Sequence, residues 1–256
     1  MLGAIAGDII GSIYEWQALK SKRFPLFDTE SCFTDDTVLT IAVADWILHD
    51  RDLVDTFHDY FHAYPQAGYG GNFTRWAGYR KRKPYNSWGN GSAMRVSPVG
   101  FAYDTLEEVL TRAEQSAAVT HDHPEGIRGA QATAAAIFLA KQGNDKDVVK
   151  TYITETFGYD LDQTLDDIRP RYTFDVSCQG SVPQSIRAFL ESTDYADAVK
   201  NAVSLGGDAD TMACIAGGIA EAHYGLPELI ATEALARLDG RLRNVVEQFR
   251  ERFGHA

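Results

Sequence analysis

Two acidic clusters dominate the chemistry this 256-residue sequence can support: Thr34-Asp35-Asp36-Thr37 near its start and Gly206-Gly207-Asp208-Ala209-Asp210-Thr211 near its end. Each combines paired carboxylates with a hydroxyl. Adjacent acids such as Asp35 and Asp36 diverge, so they can serve two neighbouring positions, whereas Asp208 and Asp210 in a turn can converge on one. For a single cluster, capping of a helix start accounts for the composition, because Asp and Thr accept hydrogen bonds from free backbone N–H groups there. Two clusters set between apolar segments would bring several negative charges into partly buried positions, which is costly without a cation. All-oxygen donors with no nearby cysteine or histidine select hard ions, magnesium or manganese, and the divided clusters make a binuclear site the sharper expectation.

A third constellation is Gly89-Asn90-Gly91-Ser92-Ala93-Met94-Arg95. Small residues let backbone N–H groups approach an anion, and Arg95 could add a bidentate contact. Before it, Arg75, Arg80, Lys81, Arg82 and Lys83 form a local positive field, read as solvated charge for Lys81–Lys83; a phosphate-bearing ligand would explain loop and surroundings together. His121 and His123 suit a general base, a ligand contact or a cap equally. Tyr69-Gly70-Gly71-Asn72-Phe73 reads as a turn or as a ligand clamp with aromatics available for stacking. Glu15, seven residues after Asp8, shares its face if the helix runs that far; by composition alone it is an ordinary helix-end acid.

The elements that must position these groups read as helices. Gly3, Gly7 and Gly11 line one side of a first helix (3–13), a stripe that implies tight packing. Asp35–His49 carries a helical apolar stripe. Asp104 and Glu107 suggest a capping box before a helix over 106–119. Gly129–Lys141 is alanine-rich and suited to a buried centre. Ser181 and Pro183 are expected to open another helix. Asp194 begins one that Gly206-Gly207 ends, Thr211–Tyr224 runs to Gly225, and two amphipathic helices start near Pro227 and Gly240. The alternation Tyr172, Phe174, Val176 has no partner strand and reads as an extended loop. The segment 64–100, rich in Gly, Pro, Asn and aromatics, reads as long and irregular. The fold class is all-α, one domain over 1–256.

Composition bounds the rest. Apolar residues at 45% and charged residues at 23% describe an ordinary globular chain. The net charge of −12 disfavours stable nucleic-acid binding and anionic membranes. Three cysteines without CxxC spacing argue against a disulfide framework or zinc knuckle, and with no membrane span or signal segment they suggest a cytoplasmic protein.

The order Gly-Asp-x-x-Gly-Ser-x-Tyr-Glu (7–15), Thr34-Asp35-Asp36-Thr37, Gly89–Arg95, Thr120-His121 and Gly207-Asp208-Ala209-Asp210-Thr211 resembles the ADP-ribosylglycohydrolase family over nearly the whole chain. The resemblance implies a compact orthogonal helical bundle with two Mg2+ or Mn2+ ions in a cleft, held by Thr34, Asp35, Asp36, Asp208, Asp210 and Thr211. It implies that Glu15 is a metal-associated acid, and that Glu15 or Asp36 positions or deprotonates the attacking water. Asn90, Gly91, Ser92, Met94 and Arg95 would hold the diphosphate, His121 the ribose side, and Tyr69, Gly70 and Gly71 would line the pocket. The implied reaction is hydrolysis of the C1″ glycosidic bond of an ADP-ribose conjugate, with an ADP-ribosylated protein as the expected partner. Two other readings use the same residues: a metal-dependent hydrolase of another phosphate-containing small molecule, and a non-catalytic ADP-ribose-binding or structural protein. Retention of all the acidic ligands weighs against the last.

Overall fold

The computed structural model describes residues 1–254, and among them the chain folds into one all-α domain of fifteen α-helices. In chain order these are α1 (Leu2–Gly11), α2 (Asp35–His49), α3 (Leu53–Ala63), α4 (Gly71–Gly78), α5 (Gly91–Met94), α6 (Ser97–Ala102), α7 (Leu106–Ala118) and α8 (Pro124–Lys141). There follow α9 (Lys146–Phe157), α10 (Leu165–Ile168), α11 (Cys178–Leu190), α12 (Tyr195–Val203), α13 (Ala209–Tyr224), α14 (Glu228–Ala236) and α15 (Gly240–Phe253). No helix among the described residues is long and apolar enough to cross a membrane.

Two buried helices, α1 and α13, form the spine. A Cβ on Gly3 would sit 2.7 Å from the Gly217 carbonyl oxygen, one on Gly7 2.1 Å from that of Ala213, and one on Gly11 2.5 Å from that of Ala209. The stripe at spacing four therefore meets a second small-residue stripe, Ala209-Ala213-Gly217, running the opposite way, and the two backbones touch. Packing this close offsets the cost of glycine inside a helix. It also fixes the chemistry, because the end of α1 that leads to Glu15 meets the start of α13, where Asp208 and Asp210 stand. Around this spine, α8 supplies a run of buried alanines, Ala134–Ala136, packed against α6, α7, α11 and α13.

Several boundaries differ from expectation, each for a local reason. Thr105, not Asp104, caps α7: its extended backbone ends one residue before Leu106, and its hydroxyl accepts from Glu108 N at 3.3 Å. The helix read from Gly129 starts at Pro124, behind a His123 cap. Gly126 and Gly129 are packed too tightly for any side chain, since an added Cβ would lie 2.6 Å from Ser87 O at the first and 2.4 Å from Cys178 Sγ at the second. Ser177, whose hydroxyl accepts from Gly180 N, starts α11 at Cys178, which leaves Pro183 inside the helix rather than in its first turn. The last long helix of the core begins at Ala209, two residues before Thr211. The segment 64–100 holds three short helices, α4 to α6. Residues 172–176 form no strand; they run extended beside the glycine loop, with Asn90 N donating to Val176 O at 2.8 Å and Cys178 N to Trp88 O at 3.0 Å.

Candidate functional site

The two acidic clusters, from opposite ends of the sequence, meet in one wall. Thr34 caps α2, accepting from Asp36 N at 3.3 Å, and Asp8 reaches across from α1 to the same helix end. Asp8 Oδ2 accepts from Thr34 N and Thr37 N, each at 3.0 Å, and Oδ1 accepts from Thr34 Oγ1 at 2.7 Å. A carboxylate capping the positive end of a neighbouring helix pins Asp35 and Asp36 against α13. There Thr211 Oγ1 donates to Asp36 Oδ2 at 3.2 Å. Across the wall Asn90 Nδ2 donates to Asp208 Oδ2 at 2.8 Å.

The carboxylates form two overlapping groups. Oxygens of Asp8, Asp36 and Asp210 lie within 4.8 Å of one another, and so do those of Glu15, Asp208 and Asp210; Asp210 belongs to both. Asp35 stands beside them, its Oδ1 toward Gly68. None of these acids is in an ion pair with a basic side chain among the described residues, although Asp8, Asp36, Asp208 and Asp210 are buried. Asp36 Oδ1 has no hydrogen-bond partner at all. Burial, then the charges of neighbouring acids, holds Asp35, Asp36 and Asp210 well above the usual carboxylate range. Glu15, half-buried at the mouth, is pushed up to about 7 by burial and then by Asp208 and Asp8. Buried like charges with an orphaned oxygen and an all-oxygen donor set fit hard divalent cations.

This wall bounds a cleft of about 470 Å3, within the roughly 300–1,000 Å3 of small-ligand sites. Glu15, Asp35, Asp36, Asp208, Asp210 and Thr211 line it on one side. Tyr69, Gly70 and Gly71 line it on another, the Tyr69 ring stacked on Phe73 at 5.3 Å and both glycine Cβ directions opening into free space. Asn90, Gly91, Met94 and His121 complete the floor.

Three expected residues of the glycine loop sit differently. Asn90 turns its amide to Asp208, so it braces the acidic wall. Ser92 is buried with its hydroxyl donating to Gly126 O at 2.7 Å, away from the cleft. Arg95 lines the cleft but is fully buried, and its Nε and Nη1 have no hydrogen-bond partner among the described residues. Its guanidinium is fully buried 4.5 Å above the Phe57 ring, with Nη2 donating to Ser116 O at 2.9 Å and Thr120 Oγ1 at 2.8 Å. Small residues on both sides let the loop fold over its own arginine, and burial lowers that group to about 10. Thr34 is half-buried at the start of α2, its hydroxyl donating to Asp8 Oδ1 at 2.7 Å.

Sequence reasoning gave Asp8 no ligand role and passed over the rim. The signal for Asp8 was present: it is the one acid in an otherwise apolar, fully buried helix. Trp16, 80% exposed, and Phe174, 42% exposed, stack at 5.1 Å at the cleft entrance, and nothing in the sequence pairs residues so far apart.

The fold is thus an all-helical domain whose two acid-bearing helix starts converge on a cleft of small-ligand size. The chain matches the ADP-ribosylglycohydrolase family over residues 1–256 and belongs to that family, whose activity is hydrolysis of ADP-ribose conjugates. It is 26% identical to the ADP-ribosylhydrolase ARH3 of Mus musculus over 309 aligned positions, covering 90% of this chain and 84% of that protein. The Homo sapiens ARH3 is likewise 26% identical, at 90% and 85% coverage. A putative ADP-ribosyl glycohydrolase of Acanthamoeba polyphaga mimivirus is 26% identical, at 88% and 85%. Among solved structures, an ADP-ribosylglycohydrolase-related protein superposes with a TM-score of 0.70 at 22% identity, over 98% of this chain and 96% of that one, which establishes the fold.

Proposed function

We propose that this cleft hydrolyses the C1″ glycosidic bond between ADP-ribose and its acceptor, a modified protein, with two divalent cations, Mg2+ or Mn2+, held by Asp35, Asp36, Asp208, Asp210, Thr34 and Thr211. The observation that carries the reading is the pair of overlapping carboxylate groups sharing Asp210, buried with no basic partner among the described residues. When bound, the cations supply charge that fixes the ribose hydroxyls and acidifies a water.

The residues of the chain do the rest. Cleavage builds positive, oxocarbenium character at C1″ while the acceptor leaves with the bonding pair, and the carboxylates facing the ribose favour that positive charge. The walls of Tyr69 and Phe73 and the glycine floor hold the ADP-ribose, so that C1″ lies by the acids and the acceptor points out past Trp16 and Phe174. Water adds to C1″, its proton passing to Asp36 or to Glu15. Glu15 is at the mouth, and its carboxyl, held near neutrality, is suited to take that proton and return it to the leaving group.

The test is incubation with serine-, arginine- and nucleic-acid-linked ADP-ribose in Mg2+ or Mn2+ and then in chelator. Cation-dependent release of free ADP-ribose supports the reading. Release of phosphate or AMP instead, or of nothing, overturns it.

A further inference from the structure

Behind the glycine loop runs a short chain of hydrogen bonds that the reaction scheme leaves unused. Arg95 Nη2 donates to Thr120 Oγ1 at 2.8 Å, and Thr120 Oγ1 lies 2.8 Å from His121 Nδ1. All three residues are buried. Arginine can only donate, so the direction of the first bond is fixed. Thr120 Oγ1 then has one proton of its own to place. If Nδ1 carried the ring proton it would also donate to Oγ1, and the threonine hydrogen would need another acceptor in a buried site. The phenol of Tyr85, which faces Thr120, is a far weaker base than an imidazole nitrogen and brings a proton of its own. With the threonine donating to Nδ1, both Thr120 Oγ1 and His121 Nδ1 are satisfied, while Arg95 keeps Nε and Nη1 without a partner among the described residues.

The consequence reaches the cleft at the other ring nitrogen. His121 Nε2 makes no hydrogen bond within the protein among the described residues, and it lies 3.2 Å from the position a Cβ would take on Gly91 and 3.8 Å from that on Gly89. Only glycine at 91 leaves this nitrogen uncovered. We propose that Arg95 and Thr120 are positioning residues that hold His121 as the tautomer with its proton on Nε2, aimed across Gly91 to donate to a phosphate oxygen of the bound ligand. The identity of that ligand rests on the ADP-ribose reading; the tautomer does not. Burial and the Arg95 charge both hold His121 far below its ordinary range, so the ring stays neutral and acts as a fixed donor rather than a base. The buried arginine thereby serves an anion at one remove, through a threonine and an imidazole, and Tyr85 N and Ser87 N, each 3.4 Å from Thr120 O, tie the approach to the glycine loop to the same residue.

The experiment is nitrogen NMR of 15N-histidine-labelled protein at pH 7.5 without ligand, with His121→Asn to identify its signals among the seven histidines. The expected result is an unprotonated-type shift at Nδ1 and a protonated-type shift at Nε2. Thr120→Val should lose this preference and Thr120→Ser keep it, with both variants melting cooperatively. In turnover, Thr120→Val should raise KM for the conjugate and Kd for free ADP-ribose about tenfold, as for loss of one hydrogen bond, with kcat changed less than about twofold, and serine should restore both. A proton on Nδ1, an imidazolium at pH 7.5, or a tautomer indifferent to Thr120→Val overturns the proposal. The expected tautomer with no ADP-ribose bound or released leaves the relay standing and overturns the substrate reading.

Discussion

Asp36→Asn should stabilise the cation-free protein while abolishing its response to cations. Oxygens of Asp8, Asp36 and Asp210 lie within 4.8 Å of one another. At an effective dielectric constant of about 20, two like charges at that separation repel by about 3.5 kcal/mol. Relief by proton uptake costs an ordinary carboxyl about 5 kcal/mol at pH 7.5, so whether Asp36 stays charged or takes up a proton, as its raised range favours, the fold bears a cost of at least about this size. Asparagine removes one such pair at least, keeps an acceptor for Thr211 Oγ1, and loses about 1 kcal/mol through the weaker, uncharged hydrogen bond. The net gain is about 2.5 kcal/mol, or roughly 5–10 °C in Tm for a domain of this size. The wild type should gain about as much, some 2.7 kcal/mol, from Mg2+ or Mn2+ at a hundred times Kd, and the variant should gain almost nothing. Differential scanning calorimetry of both proteins in chelator and in cation reads all four values. A lower Tm for the variant in chelator together with an undiminished cation shift would refute the reasoning, because it would mean that Asp36 neither bears the repulsion nor holds the ion.

Three further outcomes follow from the same geometry. Glu15 and the buried aspartates have folded-state values raised above their unfolded ones, so their stabilisation is complete below about pH 4 and is lost as pH rises through the folded values, near 7 for Glu15. In chelator, Tm should fall from pH 5 to pH 8, and saturating cation should flatten or reverse that slope; a Tm that rises with pH in chelator contradicts it. Gly7→Ala places a Cβ 2.1 Å from the Ala213 carbonyl oxygen, so α1 and α13 must separate; a loss of about 3 kcal/mol in urea denaturation and a weaker cation shift are expected, since both carboxylate groups span that contact. Gly91→Ala meets only His121 Nε2 at 3.2 Å and Cε1 at 3.4 Å, so it should leave Tm within about 2 °C while weakening ADP-ribose binding about tenfold, read by isothermal titration calorimetry.

The helices were legible because the signals that start and stop them are local. Asp35–His49 begins and ends where its stripe and cap place it, and Gly225, at φ +77°, stops α13 as a glycine should. Misplaced boundaries, as at Asp104 and Gly129, arose where a neighbour one residue away, or a packing partner far along the chain, settled the backbone. The Gly3-Gly7-Gly11 stripe announced a close approach without naming its partner; the complementary stripe on α13 was equally visible, yet only folding shows that the two run antiparallel and in register.

For the site, residue type alone picked out four aspartates that the fold brings to one cleft, and chemistry pairs such oxygen donors with hard cations without coordinates. What the chain decides only in three dimensions is which atoms face one another. Asp8 joins the acids because α1 crosses the start of α2, Asn90 turns its amide from the glycine loop to Asp208, and Arg95 lies over Phe57 with Nη2 on Thr120. A sequence specifies the donors; hydrogen-bond direction and burial, which depend on residues far away along the chain, fix the use made of each.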